Sequence, residues 1–124
     1  MILRCANGCR WDTHHILQQH KEPGRRCGNL ASYDRMSGST YCGAILVRDI
    51  EFPEVGRKIR KRYLSGKIEQ REAFSFRAGG AGEVLYHSVT SDANGKELRR
   101  VSASTTYKRW RLWAADAEVV ANQI

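Results

Sequence analysis

Four cysteines, Cys5, Cys9, Cys27 and Cys42, fall in the first third of this 124-residue chain, and none follows. A thiolate is at once a nucleophile, a redox partner and a soft metal ligand, so these side chains are the first to ask for chemistry. The spacing is a close pair with three residues between, a gap of 17 residues, then two cysteines with 14 residues between, each followed by glycine (Cys27-Gly28 and Cys42-Gly43). Glycine directly after a ligand permits the positive φ that turns backbone N–H groups back toward a thiolate. Four thiolates at about 2.3 Å fill a tetrahedral zinc shell and leave no position for water, so the pattern predicts a structural zinc site made by Cys5, Cys9, Cys27 and Cys42. The even count also permits disulfides, and free thiols pack as small apolar groups without any metal. The opening MILRCANGC holds no apolar run of signal-peptide length, which favours a reducing, cytoplasmic setting.

His14, His15 and His20 lie between the second and third cysteines, and neutral imidazole ligates zinc as thiolate does. His15 or His20 therefore stands as an alternative to one cysteine, with four cysteines the simplest count. Catalysis finds less support. No phosphate-cradling loop with its lysine occurs, Gly79-Gly80-Ala81-Gly82 lacks the strand-to-helix setting of a dinucleotide site, and neither a zinc-protease nor a zinc-deaminase signature is present. His87, beside Tyr86, is read as structural because a general base also needs an oriented partner. The chain is expected to be no enzyme and to take no small-molecule substrate.

Charge points to a partner instead. The formal charge is +8, from 21 Lys and Arg against 13 Asp and Glu, and it is unevenly spread. Residues 57–67 hold Arg57, Lys58, Arg60, Lys61, Arg62 and Lys67 with no acidic residue, and residues 96–111 hold Lys96, Arg99, Arg100, Lys108, Arg109 and Arg111 against Glu97 alone. Such blocks attract phosphate and release counterions from nucleic acid. Arg57, Lys58, Lys61, Arg62, Arg99, Arg100, Lys108, Arg109 and Arg111 are the residues expected to meet a DNA or RNA backbone. The alternative is a small basic interaction module, an inhibitor or adaptor, docking on an acidic protein surface. A charged face that merely keeps the protein in solution is the plainest reading of all.

The elements that must position these residues read as α+β: a zinc-knuckle or ribbon-like N-terminal lobe, then a helix, a three-stranded antiparallel meander and a C-terminal helix. The division falls at 1–50, a cysteine-rich metal-binding lobe, and 51–124, a basic α-β-β-β-α domain, or the two make one continuous domain. No stretch of 18 apolar residues occurs, so no membrane partner is expected. In the lobe, Thr13, His15 and Ile16 begin a weak helical stretch ending before Pro23-Gly24, and Ala44 to Val47 reads as an apolar strand. Pro53 suits a first helical turn, Val55, Ile59 and Tyr63 recur at spacing four, and Gly66 suits the C-terminal cap of a helix over 53–65. From Lys67 the period is two, with Ile68, Phe74 and Phe76 on one strand face, Gln70 and Glu72 among them. A second strand runs from Glu83 to Thr90, Ser91 to Gly95 is a hairpin turn, and a third strand runs from Lys96 to Ala103. Ser104 or Thr105 caps a last helix whose Tyr107, Trp110, Ala114, Ala117, Ala121 and Ile124 make one stripe, widened by Trp113 and Val120.

With Cys27-Gly28 and Tyr41-Cys42-Gly43, the N-terminal piece resembles the treble-clef and ribbon-type zinc knuckles of small nucleic-acid-associated proteins. The order helix, meander, helix over residues 53–123 is similar in topology to the double-stranded-RNA-binding domain, which implies basic residues offered to phosphates at the start of the last helix. Val101 to Arg109 is also similar to the opening of recognition helices in helix-turn-helix DNA binders. Both are likenesses of fold, and neither carries a residue over by motif.

Overall fold

Strand pairing organises both ends of the chain. The computed structural model describes residues 1–34, 36 and 38–120, with residues 30–34, 38, 40 and 41 described by their backbone alone. The chain divides into two units, Met1–Phe52 and Pro53–Ile124. In the first, β1 (Ile2–Arg4) pairs antiparallel with β2 (Arg10–Asp12), Leu3 lying opposite Trp11. A separate hairpin joins β3 (Leu30–Asp34) to β4 (Gly38–Tyr41). Then β5 (Val47–Arg48) returns to the free edge of β1, so the sheet order is β2-β1-β5. One buried cluster here is Leu3, Cys5, Cys27, Cys42 and Leu46, with Cys9, Trp11 and Ala44 packed round it, and Val47 and Phe52 are buried as well. So small a unit has few aliphatic side chains to bury, and three thiols stand where a larger core would hold Val or Leu. The expected helical stretch near His15 is a single 3-10 turn, Ile16–Gln18, capped by the His15 side chain. Of the apolar run Ala44 to Val47, only Val47 joins a strand, Ile45 making an isolated bridge to Arg26.

The second unit is a five-stranded antiparallel sheet with one helix on one face. Its elements are β6 (Lys58–Arg62), β7 (Ile68–Arg77), β8 (Glu83–Ser91), β9 (Glu97–Thr106), α1 (Tyr107–Ala114) and β10 (Glu118–Val119), in spatial order β10-β6-β7-β8-β9. The last two strands of the meander meet through the turn the sequence marks. Asp92 Oδ1 accepts from the N–H groups of Asn94 and Lys96, and Gly95 takes φ +88°. Ala73, Val84, Tyr86 and Ile59 are buried beneath Trp110, Trp113 and Ala114 of α1, with the Tyr86 and Trp110 rings edge to face at 5.5 Å.

Three expectations are corrected. The helix over 53–65 is a strand: Gly56 has φ +84°, and β6 pairs along its length with β7. The pairing sets Lys58 opposite Glu72 and Lys61 opposite Glu69, two opposite-charge cross-strand pairs. Of the expected apolar stripe only Ile59 is buried, while Val55 and Tyr63 are exposed and Gly66 serves a β-turn rather than a helix cap. The final helix is short. Thr106, not Ser104 or Thr105, caps it by accepting from the Arg109 N–H, and it ends at Ala114. The chain then runs back as β10 along β6, where the Val120 N–H donates to the Lys58 carbonyl. Ala121 and Ile124 of the expected stripe lie outside the described residues. Finally, a β-bulge between Ala73 and Ser75 breaks the alternation of β7, so Phe74 and Phe76 do not share a face. Among the described residues, no helix is long and apolar enough to cross a membrane.

Candidate metal centre

Three segments bring the cysteines together. Cys5 and Cys9 close the turn between β1 and β2, where the Gly8 N–H donates to the Cys5 carbonyl and the Cys5 N–H to the Cys9 carbonyl. Cys27 and Cys42 lie on facing backbones, since the Gly28 N–H donates to the Cys42 carbonyl and the Cys27 N–H to that of Ala44. Gly28 takes φ +71°, as a glycine after a ligand is expected to, whereas Gly43 does not adopt positive φ.

The four Sγ atoms all lie within 4.8 Å of one another, and Cys5 Sγ and Cys42 Sγ are 3.8 Å apart. Ligands at about 2.3 Å on the corners of a tetrahedron are separated by roughly 3.8 Å, so the cage has the size of a single thiolate-bound ion. All four are free cysteines. The four donors can hold a metal ion. His14, His15 and His20 are exposed and lie outside this group, His15 Nδ1 instead accepting from the Leu17 N–H.

Burial pushes the Cys5 thiol up to about 12 and raises that of Cys27. Cys42 is lowered to about 7, first by the hydrogen bond from Asn7 and then by the Ala44 backbone N–H. Asn7 Nδ2 reaches Cys42 Sγ at 3.3 Å and Trp11 Nε1 reaches Cys27 Sγ at 3.1 Å. Four thiolates round a dication carry net negative charge, and such N–H donors disperse it and hold the sulfurs in place. Lys21 Nζ lies 4.5 Å from the centre of the Trp11 ring and donates to the Cys27 carbonyl at 2.9 Å, which holds the indole beside the sulfur. Sequence reasoning missed these supports. Asn7-Gly8 inside a four-residue turn was a usable signal for one of them, but nothing in the spacing marked Trp11 or Lys21.

The nine basic residues expected to act together are dispersed within the second unit. Strand alternation puts Lys58 and Arg62 on the face of β6 turned away from α1, and Arg100 on the same side of β9. Lys61 and Arg99 take the helix side, Lys61 Nζ lying 5.6 Å from the centre of the Tyr63 ring. Lys108 and Arg109 are exposed on α1, Arg111 lies over Tyr107, and Arg57 precedes β6. Arg60, not among the nine, joins Lys58 and Arg100 around a concavity of about 400 Å³ on the sheet. Comparison of the chain with protein-family models, curated proteins and solved structures found no match in any of the three.

Proposed function

We propose that the chain is a small zinc-stabilised nucleic-acid-binding protein in which the metal is structural. Cys5, Cys9, Cys27 and Cys42 would hold the ion. Its contribution is to tie the β1–β2 turn to the two facing backbone segments that carry Cys27 and Cys42, which a unit with so small a core needs for stability. An all-sulfur tetrahedron suits zinc or iron, and a closed shell with no open ligand position suits the non-redox ion. Elemental analysis of protein purified under reducing conditions tests this, with about one zinc per chain expected, and an iron centre would colour the protein.

The observation that carries the nucleic-acid reading is the grouping of Lys58, Arg60 and Arg100 around one concavity of the five-stranded sheet. Side chains from β6 and β9, distant in sequence, converge there, so phosphates meet cations from two directions. Arg60 and Arg100 pair with Glu118 and Glu97 at 3.0 and 2.7 Å, but these are exposed pairs, weak enough for a phosphate to displace. Gel-shift titration of the full chain against single-stranded and duplex DNA and RNA at two salt concentrations should show binding that weakens with salt. Protein that shifts none of them at low salt would end this reading in favour of an adaptor docking on an acidic protein.

A further inference from the structure

The face of the five-stranded sheet opposite α1 carries rows of side chains set by the register. Lys58, Glu72, His87 and Ser102 make one row across β6 to β9, and Arg60, Gln70, Val89 and Arg100 the next. At the Lys58 end the bulge in β7 changes the pattern. Phe74 is left without a partner on β8, and its ring stacks on His87 with centroids 4.4 Å apart and planes 25° from parallel. Phe74 is 44% exposed and His87 is exposed. Ser102 Oγ, 2.8 Å from His87 Nδ1, fixes the rotation of the imidazole.

An isolated exposed phenylalanine needs no explanation. Here two stacked rings lie beside a concavity that holds Lys58, Arg60, Arg100 and the Gln70 amide, with Glu72 its only lining carboxylate. Neighbouring strands are about 4.8 Å apart, so β6 and β9 stand roughly 14 Å apart with the ring pair between them. Cations therefore flank an aromatic platform. In a duplex the base faces are hidden in the stack, whereas unpaired bases offer theirs to aromatic side chains while the backbone follows a cationic groove.

We propose that this sheet face binds single-stranded nucleic acid, with a base stacked against the Phe74–His87 pair and the flanking phosphates held by Lys58, Arg60 and Arg100. The proposal rests on the nucleic-acid reading above and narrows it to unpaired strands.

The test is fluorescence anisotropy of the full, metal-loaded chain with short labelled oligo(dT), oligo(U) and a mixed-sequence duplex of equal length. Both single strands should bind more tightly than the duplex, and comparison of oligo(dT) with oligo(U) separates DNA from RNA. Phe74→Ala and His87→Ala should each weaken single-strand binding about tenfold, the size of one lost base stack, with the salt slope unchanged. Phe74→Leu keeps apolar cover without a ring face and should behave like Phe74→Ala, while thermal melts show whether each variant is folded. Equal binding of duplex and single strands, or folded Phe74 and His87 variants that bind like wild type, would overturn the proposal while leaving nucleic-acid binding in place. Absence of any binding at low salt removes the broader reading and this one with it.

Discussion

Cys42 lies 3.8 Å from Cys5 through their sulfurs and accepts a hydrogen bond from Asn7, so its replacement takes away one of the four thiols able to hold a metal and orphans the donor beside it. Cys42→Ala should lower the metal content from about one ion per chain to background, read by elemental analysis. If the ion is the proposed zinc, the first unit should unfold, because structural zinc supplies about 10–16 kcal/mol in small peptides, as much as the whole stability of a typical domain. A chelator added to wild type should give the same loss of far-UV signal. Glu69 is the residue to watch in the second unit. Its Oε1 accepts from Tyr63 and Trp113 and its Oε2 from Arg71 and Ser88, at 2.7 to 3.0 Å. Burial alone would raise its carboxyl, but the hydrogen bonds from Arg71, Ser88 and Tyr63 outweigh it and hold the group below its ordinary value of 4.5. A depressed carboxylate contributes fully above that value, and the contribution is lost as pH falls through the folded one. Glu69→Gln should therefore cost about 1–3 kcal/mol at neutral pH. The gap in thermal midpoint between it and wild type should close as the pH drops below about 4.5.

At the scale of elements, α1 holds to the sheet through two indoles in different ways. Trp110 is fully buried among Tyr86 and Trp113, and Trp110→Ala should remove about 3–5 kcal/mol by chemical denaturation, the usual loss for a large core aromatic. The stripe on the sequence places Trp113 nearer the edge, with a smaller expected loss. Its N–H, however, donates to Glu69 and Tyr63, and Arg71 lies 4.1 Å from its ring centre. Trp113→Ala should therefore cost nearly as much as Trp110→Ala, a difference that helical spacing alone does not contain. The strand β10 has another task. It covers the edge of β6, whose N–H and C=O groups would otherwise be open to pairing with a second chain. Deleting residues 118–124 should lower the melting temperature and produce concentration-dependent association by light scattering.

For the molecule as a whole, the charge of +8 matters less than where it stands. Lys58→Gln, Arg60→Gln and Arg100→Gln should each flatten the salt dependence of nucleic-acid binding by about one unit of slope, measured by anisotropy over a salt series, with little change in stability. Lys108→Gln and Arg109→Gln, on α1 and away from the concavity, should change it less. Much of this protein was legible one residue at a time. The four cysteines announced a cluster because thiols are rare and specific, the Asn94-Gly95 turn announced its hairpin because the conformation is local, and Trp110 announced a buried helix face. The errors share one cause. Residues 58–62 form a strand because they pair with β7 across a short turn, residues 118–119 leave the helix because they pair with β6 about 60 positions earlier, and Phe74 reaches His87 through a bulge in the β7–β8 pairing. Residue types and local turns thus determined which side chains can do chemistry, while the register between distant strands decided which of the cations meet, since a strand's faces have no meaning until its partner is in place.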